Sequence, residues 1–250
     1  MKNLIKFEFR KLFRQKSFYV IMTIITALPL LFAALIRYTE SGIDSSDNGI
    51  GAWEFTSMGV MNSNFTMVFG IFVSLFVCED FVHDILKNFF AKGYSRTKLY
   101  FAKYIVTLTA MLIIFTVMSV SSFITVTVMW DTGAAENYPE LILSQLGVLL
   151  GYHAFFFALS VIIGRTGGAI AIGIVAPLVI SLLLQLASLL TDQVFGVNIN
   201  YSAYWLDGLL STAQNPDLSL TKHLLTVLYA QGYTVGCFLL GLAVHRRKQV

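Results

Sequence analysis

The sequence predicts an all-α integral membrane protein with six transmembrane helices, on the basis of three observations. Of its 250 residues, 56% are hydrophobic and only 12% are charged, whereas a soluble domain carries about 25% charged residues. The apolar residues fall in long runs that short polar stretches separate. Lysine and arginine are concentrated in alternate polar stretches, which is typical of loops on the two sides of a membrane. We expect residues 1–250 to form a single transmembrane domain.

Six apolar windows are each long enough to cross the bilayer, because a helix needs about 20 apolar residues to cross about 30 Å of hydrocarbon. The windows are Phe18–Ile36, Ser57–Cys78, Tyr104–Met129, Leu141–Ile163, Gly168–Leu190 and Leu224–Val244. Two glycine pairs at four-residue spacing predict close helix approach within the fourth and sixth windows. They are Gly147 with Gly151, and Gly232 with Gly236.

The distribution of charge predicts the orientation. The N-terminal segment, the connections after spans two and four, and the C-terminal tail hold six, five, one and three Lys and Arg residues, which is 15 of the 17 in the chain. Ten of the 14 acidic residues lie in the remaining connections. Because basic loops remain on the cytoplasmic side, both termini are predicted to be cytoplasmic. The formal net charge of +3 is too small to indicate binding to nucleic acid.

Residues 1–16 predict a helix that lies in the cytoplasmic membrane interface. At helical spacing, an apolar face lies beside a cationic stripe. The apolar face consists of Ile5, Phe9, Leu12 and Phe13, and the cationic stripe consists of Lys6, Arg10 and Arg14. A helix of this kind directs its apolar side into the bilayer and its cations toward anionic lipid. The alternative is a basic leader without an ordered helix.

The spans carry almost no ionisable side chains that could support catalysis or proton transfer. His153 lies within the fourth window, either as a hydrogen-bonded packing residue or as a proton carrier. Ser160 follows too far along the same helix to pair with it directly. Cys78 and Cys237 have neither disulfide nor metal-ligand spacing. We therefore predict no enzyme activity, no cofactor and no metal site on this chain.

The connection between the second and third spans is the most informative polar stretch. It begins with the acid pair Glu79 and Asp80, breaks at Gly93, and restarts as a helix after Ser95, a suitable N-cap. Between these points runs a short amphipathic segment whose apolar residues are Ile85, Phe89 and Phe90. Such a helix could insert apolar side chains into a partner's groove. The alternative is an ordinary basic cytoplasmic loop.

The connection from Thr191 to Thr221, on the other side, carries an aromatic cluster formed by Phe195, Tyr201, Tyr204 and Trp205. Clusters of this kind form either an interfacial belt or, less commonly, an outer gate.

In the order of these features, the chain resembles the permease subunits of ABC-2-type (type V) ABC transporters over essentially its whole length. The opening Phe7, Glu8, Lys11 and Leu12 are similar to the E-x-x-K-L beginning of these proteins. Around the connection between spans two and three, the positions that resemble the family's pattern are Glu79, Gly93, Ser95, Arg96, Lys98, Leu99 and Lys103. The family's usual acid-then-Gly-Thr stretch is replaced here by residues 83–88.

The resemblance implies an N-terminal interfacial elbow helix, six spans and a cytoplasmic coupling helix between the second and third. The implied ATPase-coupling segment consists of Glu79, Asp80, Asp84, Ile85, Lys87, Phe89, Phe90, Gly93, Ser95 and Arg96. The implied elbow residues are Ile5, Lys6, Phe9, Arg10, Phe13 and Arg14.

The function that the resemblance implies is the permease half of an ATP-driven exporter in a bacterial cytoplasmic membrane. The chain lacks the Gly-x-x-x-x-Gly-Lys-[Ser/Thr] phosphate loop. ATP and Mg²⁺ would therefore bind to a separate ABC ATPase subunit in two copies, beside a second permease, identical or a close paralogue. Small bacterial permeases that expel lantibiotics, bacitracin or peptide toxins suggest amphipathic or hydrophobic peptides as cargo. Two alternatives are a non-transporting membrane scaffold or sensor, and an ion-coupled secondary carrier.

Overall fold

The computed structural model describes residues 1–40, 63–82, 85–129, 138–197, 199–215 and 218–247. Over these ranges the chain forms nine α-helices and one short 3₁₀ helix, Tyr201–Tyr204, and no strand, so the predicted all-helical class is confirmed. The helices are α1 (Lys2–Arg14), α2 (Lys16–Glu40), α3 (Ser63–Val82), α4 (Ile85–Ala91), α5 (Arg96–Met129), α6 (Tyr138–Ile163), α7 (Thr166–Phe195), α8 (Leu206–Ala213) and α9 (Leu220–Arg247).

Four helices in the described part of the chain are long and apolar enough to cross a membrane. They are Arg96–Ser121 within α5, Ile142–Ile163 within α6, and the whole of α7 and α9. Helices α3 and α4 count as a fifth span if they are taken as one pair, bent by 66°. Within α2, the continuous apolar stretch that the structure describes with its side chains is Lys16–Ala27, and this stretch is shorter than a span. A multi-pass protein is therefore supported, while the six-span count stays a prediction, and residues 57–62 of the second window lie outside the described residues.

Helix α6 lies at the centre of the bundle. It packs against α3, α7, α8 and, most extensively, α9, and 67% of its most apolar window is buried. The corresponding buried fractions are only 17% in α7 and 11% in α9. Lipid tails are as apolar as a protein core, so exposed leucine rows on α7 and α9 are what a bilayer tolerates.

The glycine pair in α6 allows the close approach that its spacing predicts. A Cβ atom on Gly151 would lie 2.8 Å from Leu206 Cδ2 and 3.2 Å from the Ala230 carbonyl oxygen. At Gly232 and Gly236 in α9, an added Cβ would meet no described atom within 4 Å. The predicted close packing is therefore confirmed for α6, and the α9 pair has no neighbour in the described part of the chain.

The turn between α4 and α5 forms where the sequence predicts it. Gly93 has a φ of 80°, a conformation that glycine adopts without the steric cost other residues incur. Its N–H donates to the Phe90 carbonyl at 2.9 Å and so caps α4. The Lys98 N–H lies 3.4 Å from Ser95 Oγ, as expected for an N-cap serine. Helix α5 begins well before the predicted span start at Tyr104.

The connection that follows α7 is largely helical. Helix α8 buries Leu206, Leu209, Leu210 and Ala213. At its first turn the Asp207 carboxylate accepts hydrogen bonds from the Tyr152 hydroxyl and, at 2.9 Å, from Ser181 Oγ. The predicted aromatic cluster is divided, because Trp205 joins the core while Phe195 is 75% exposed. Helix α8 is thus held to α6 and α7 by apolar packing and by one carboxylate.

Candidate functional site

A buried ionic cluster lies where α1, α3 and α5 meet. The carboxylate of Asp80, near the end of α3, is fully buried. Its Oδ1 atom accepts a hydrogen bond from Lys11 of α1, and its Oδ2 atom accepts one from Lys103 of α5. The two ammonium nitrogens lie 5.0 and 5.7 Å from the centroid of the Phe76 ring, within the range of cation–π attraction. One carboxylate thus joins three helices.

Two further carboxyl groups complete the cluster. Lys103 Nζ lies 3.4 Å from Glu8 Oε1, and Lys11 Nζ lies 2.9 Å from Glu79 Oε2. The side chain of Glu79 is 37% exposed, whereas that of Glu8 is fully buried. Three carboxyl groups therefore face two ammonium groups, and the cluster is electrically neutral when one of the carboxyl groups is protonated.

Glu8 is the carboxyl that is expected to hold this proton. Burial raises the pKa of Glu8 above its ordinary value; Lys103 opposes the shift, and the charge on Asp80 adds to it. In the described part of the chain, neither Glu8 oxygen makes a well-aligned hydrogen bond, and the nearest cation, Lys103 Nζ, lies 3.4 Å from Oε1. A buried carboxylate without hydrogen bonds is costly, and such a group takes up a proton instead.

Replacing Glu8 with glutamine is expected to remove a pH dependence from stability. A carboxyl whose pKa is higher in the folded state stabilises the fold below its unfolded pKa, about 4.3, and loses that contribution as pH rises through the folded pKa. Glu8→Gln should therefore match the wild type at about pH 3.5 and melt at a higher temperature at pH 8. The measurement is the difference in thermal midpoint between Glu8→Gln and the wild type, both in detergent at the same pH. Titrating groups that the two proteins share cancel in this difference. A lower midpoint for Glu8→Gln at pH 8 would show that Glu8 is an ionised partner of Lys103.

The structure corrects the predicted lipid face of α1. The buried residues of this helix are Leu4, Glu8 and Leu12, spaced four residues apart, so this row faces the protein. Leu12 was assigned to the lipid face, which is wrong, because α1 packs against α5. Ile5 and Phe9 are half-buried and also contact the core. Of the predicted apolar face, only Phe13 is largely exposed, at 47%.

The predicted cationic stripe of α1 does lie on the surface. Lys6, Arg10 and Arg14 are all exposed, as is Phe7 beside them. Whether these cations contact lipid headgroups stays a prediction.

Helix α4 packs against α1 and the beginning of α5 through a small apolar cluster. The buried members of this cluster are Leu4, Leu86, Leu99 and Ala102. The Phe89 ring makes edge-to-face contact with Phe7 of α1, at a centroid distance of 5.4 Å. The helix that carries Glu8 and Lys11 therefore also contacts α4.

The two phenylalanines of α4 serve the protein's own packing. Phe89 contacts Phe7 and also Tyr94, at 5.8 Å between ring centroids, and the Arg96 guanidinium lies 5.3 Å from the Phe90 ring centroid. Both rings are half-buried, and their contact with a partner stays a prediction. Among the described side chains of α4, those of Lys87 and Ala91 are exposed.

The structure gives positions for some of the remaining residues of the implied coupling segment. Ile85 is half-buried at the start of α4, Ser95 caps α5, and Glu79 lies at the cluster. Asp84 lies outside the described residues. From the sequence alone, Glu8, Lys11 and Lys103 were not predicted to form a site. One feature of the sequence could have pointed to Glu8, because it is the only acid among the first 16 residues.

Polar residues within the bundle pair across helices. His153 Nε2 lies 2.9 Å from Thr107 Oγ1, and Ser160 Oγ lies 3.1 Å from Ser74 Oγ. These hydrogen bonds join α6 to α5 and α3, the usual role of polar groups between membrane helices. The described residues contain no group of three His, Cys, Asp or Glu side chains placed to hold a metal ion.

Comparison with known proteins agrees with the predicted family. A family model described as ABC-2 family transporter protein matches residues 4–188. The match contains the buried cluster, α4 and most of α7, and it covers well over half of the chain. No curated protein matches the chain. The chain therefore belongs to the ABC-2 family of transporter permeases.

Proposed function

We propose that this chain is the transmembrane permease subunit of an ATP-driven exporter in a bacterial cytoplasmic membrane. ABC-2 permeases are membrane transport components that normally work with an ABC ATPase. The proposed assembly contains two ATPase subunits, which bind ATP and Mg²⁺, and a second permease copy or close paralogue. The sorting of basic residues supports cytoplasmic termini, which would place α4 on the ATPase side.

The observation that carries the coupling role is the dual ion pairing of Asp80. Lys11 and Lys103 bind the same carboxylate, which lies shortly before α4 in the chain. The Phe89 contact with Phe7 joins α4 to α1 as well. A displacement of α4 by a partner would therefore move α1 and the cytoplasmic ends of α3 and α5 together. In this proposal α1 is the elbow helix and α4 is the coupling helix.

The proposed cargo is an amphipathic or hydrophobic peptide. The described interior of the bundle is lined mainly by aromatic and aliphatic side chains, with hydroxyl groups and few ionisable groups among them. Such an interior suits apolar cargo better than a strongly charged solute. ATP-dependent uptake of a peptide into inverted vesicles, unaffected by an ionophore, would distinguish an ABC exporter from a scaffold and from an ion-coupled carrier.

Placing a charge on the exposed side of α4 is expected to release the ATPase. An affinity pull-down from native membranes in mild detergent should recover a stoichiometric ATPase subunit with the wild type. Ala91→Glu and Lys87→Glu should each reduce that recovery at least about tenfold, because an unmatched charge in an interface costs several kcal/mol. Both positions are exposed, and a monodisperse gel-filtration profile checks that each variant is folded. Phe89→Asp is a poorer test, because it would also remove the Phe7 contact.

Two control variants show whether a charge change on α4 itself causes the loss. Ala91→Ser changes the same position without charge, and Lys98→Glu reverses an exposed charge at the start of α5; both should retain the ATPase. If Ala91→Glu and Lys87→Glu retain it fully, α4 is not the docking element. If folded wild-type protein recovers no ATPase, the exporter proposal is wrong.

A further inference from the structure

We propose that a cavity between α1 and α4 binds an anionic phospholipid. The cavity has a volume of about 340 Å³. Its lining includes Asn3, Leu4 and Phe7 of α1, Ile85 and Phe89 of α4, and Lys92, which follows α4. The inference depends on the membrane location of the protein and not on the presence of an ATPase.

The chemistry of the lining selects an amphiphile with a negative head. Leucine, isoleucine and phenylalanine side chains provide an apolar wall, and Lys92 provides a cation at its edge. Lys92 is exposed, and no acid in the described part of the chain forms an ion pair with it. Lys2 and Lys6, next to the lining residues of α1, are also exposed. The ligand therefore needs an apolar chain to fill the cavity and an anion to meet these ammonium groups.

The position of the cavity favours a lipid over a soluble amphiphile. Lys11 of α1 pairs with Asp80, which lies near the end of α3, so α1 lies against the end of that helix. Phe7, which lines the cavity, is 46% exposed and lies beside cations, a combination typical of helices at the headgroup boundary. Small-molecule pockets hold about 300–1,000 Å³, so this cavity accommodates the upper part of one acyl chain, with the phosphate at Lys92.

The test compares two lipids on the purified protein in a neutral detergent. Phosphatidylglycerol or phosphatidylcholine is added, and unfolding is followed with a thiol-reactive dye, because Cys78 is fully buried in the folded protein. Phosphatidylglycerol should raise the thermal midpoint and phosphatidylcholine should not. Glycerol 1-phosphate, the headgroup chemistry without a chain, should also have no effect. Lys92→Gln should raise the half-maximal phosphatidylglycerol concentration about fivefold, the effect of one lysine near an anionic lipid.

Matched variants decide between specific binding and general charge. Lys98→Gln removes a cation that is exposed but does not line the cavity, and it should respond like the wild type. Asn3→Trp fills the cavity without changing charge, and it should abolish the effect while keeping the lipid-free midpoint. Equal stabilisation by both lipids, or equal loss in Lys98→Gln, would overturn the proposal. An undiminished lipid effect in Asn3→Trp would also overturn it.

Discussion

Replacing Lys103 with methionine is expected to destabilise the protein by about 3–5 kcal/mol, the cost of removing one partner from a buried ion pair. Methionine retains much of the apolar stem but removes the ammonium group that Asp80 and Glu8 share. Asp80 would keep only Lys11, and Glu8 would lose the ammonium group that lies 3.4 Å from its Oε1 atom. The measurements are the thermal midpoint in detergent and the yield of monodisperse protein.

A second substitution distinguishes loss of charge balance from loss of packing. In the double variant Lys103→Met with Asp80→Asn, the buried carboxylate is removed together with its partner, so much of the lost stability should return. Lys98→Met removes an exposed ammonium group and should change stability by no more than about 0.5 kcal/mol. Wild-type stability in Lys103→Met alone would contradict the view that this cluster holds α1, α3 and α5 together.

Replacing Gly208 with alanine is expected to produce the second-largest loss, about 3 kcal/mol, at the upper end of overpacking costs. A Cβ atom at this position would lie 2.1 Å from the Ser202 carbonyl oxygen and 2.6 Å from the Ala203 Cα atom. Both are backbone atoms, so no side-chain rotation relieves the contact. Either the 3₁₀ helix or α8 would have to move. Hydrogen exchange over residues 206–213, together with the thermal midpoint, would report that movement.

Glycines on α9 provide the matched controls for Gly208. An added Cβ at Gly232 or Gly236 meets no described atom within 4 Å, and alanine is favoured over glycine in a helix by about 0.8–1 kcal/mol. Gly232→Ala and Gly236→Ala should therefore be neutral or slightly stabilising. A tolerated Gly208→Ala would contradict the packing of α8 against the 3₁₀ helix. Destabilisation by Gly236→Ala would indicate that this face of α9 contacts another chain.

Local features of this protein could be predicted from its sequence because they depend on neighbouring residues. The apolar windows predict where long helices form, since backbone groups in a bilayer must be satisfied within the helix. Gly93 and Ser95 predict the end of α4 and the start of α5, because a left-handed glycine and an N-cap serine act within one turn. Periodicity also predicted that residues 1–16 form a helix, which α1 confirms.

What periodicity could not decide is which side of α1 faces protein. An apolar row looks the same to lipid as to a protein core, so Leu12 was assigned to the bilayer although it packs inside. The same ambiguity affected Phe89 and Phe90, whose apolar character fits a partner's groove as well as it fits Phe7 and Arg96. The contacts of these rings with Phe7 and Arg96 appear only in the packing of α4 against α1 and α5.

By itself, then, the sequence determined the helical membrane class, the candidate spans and the turn that separates α4 from α5. Only the tertiary structure decided that Glu8, Lys11, Asp80 and Lys103 form one cluster. These residues come from three helices that are distant in the chain, and each charge alone looks like an ordinary residue of a basic membrane edge. Their burial depends on helix packing, and burial is what converts weak surface charges into strong, mutually dependent interactions.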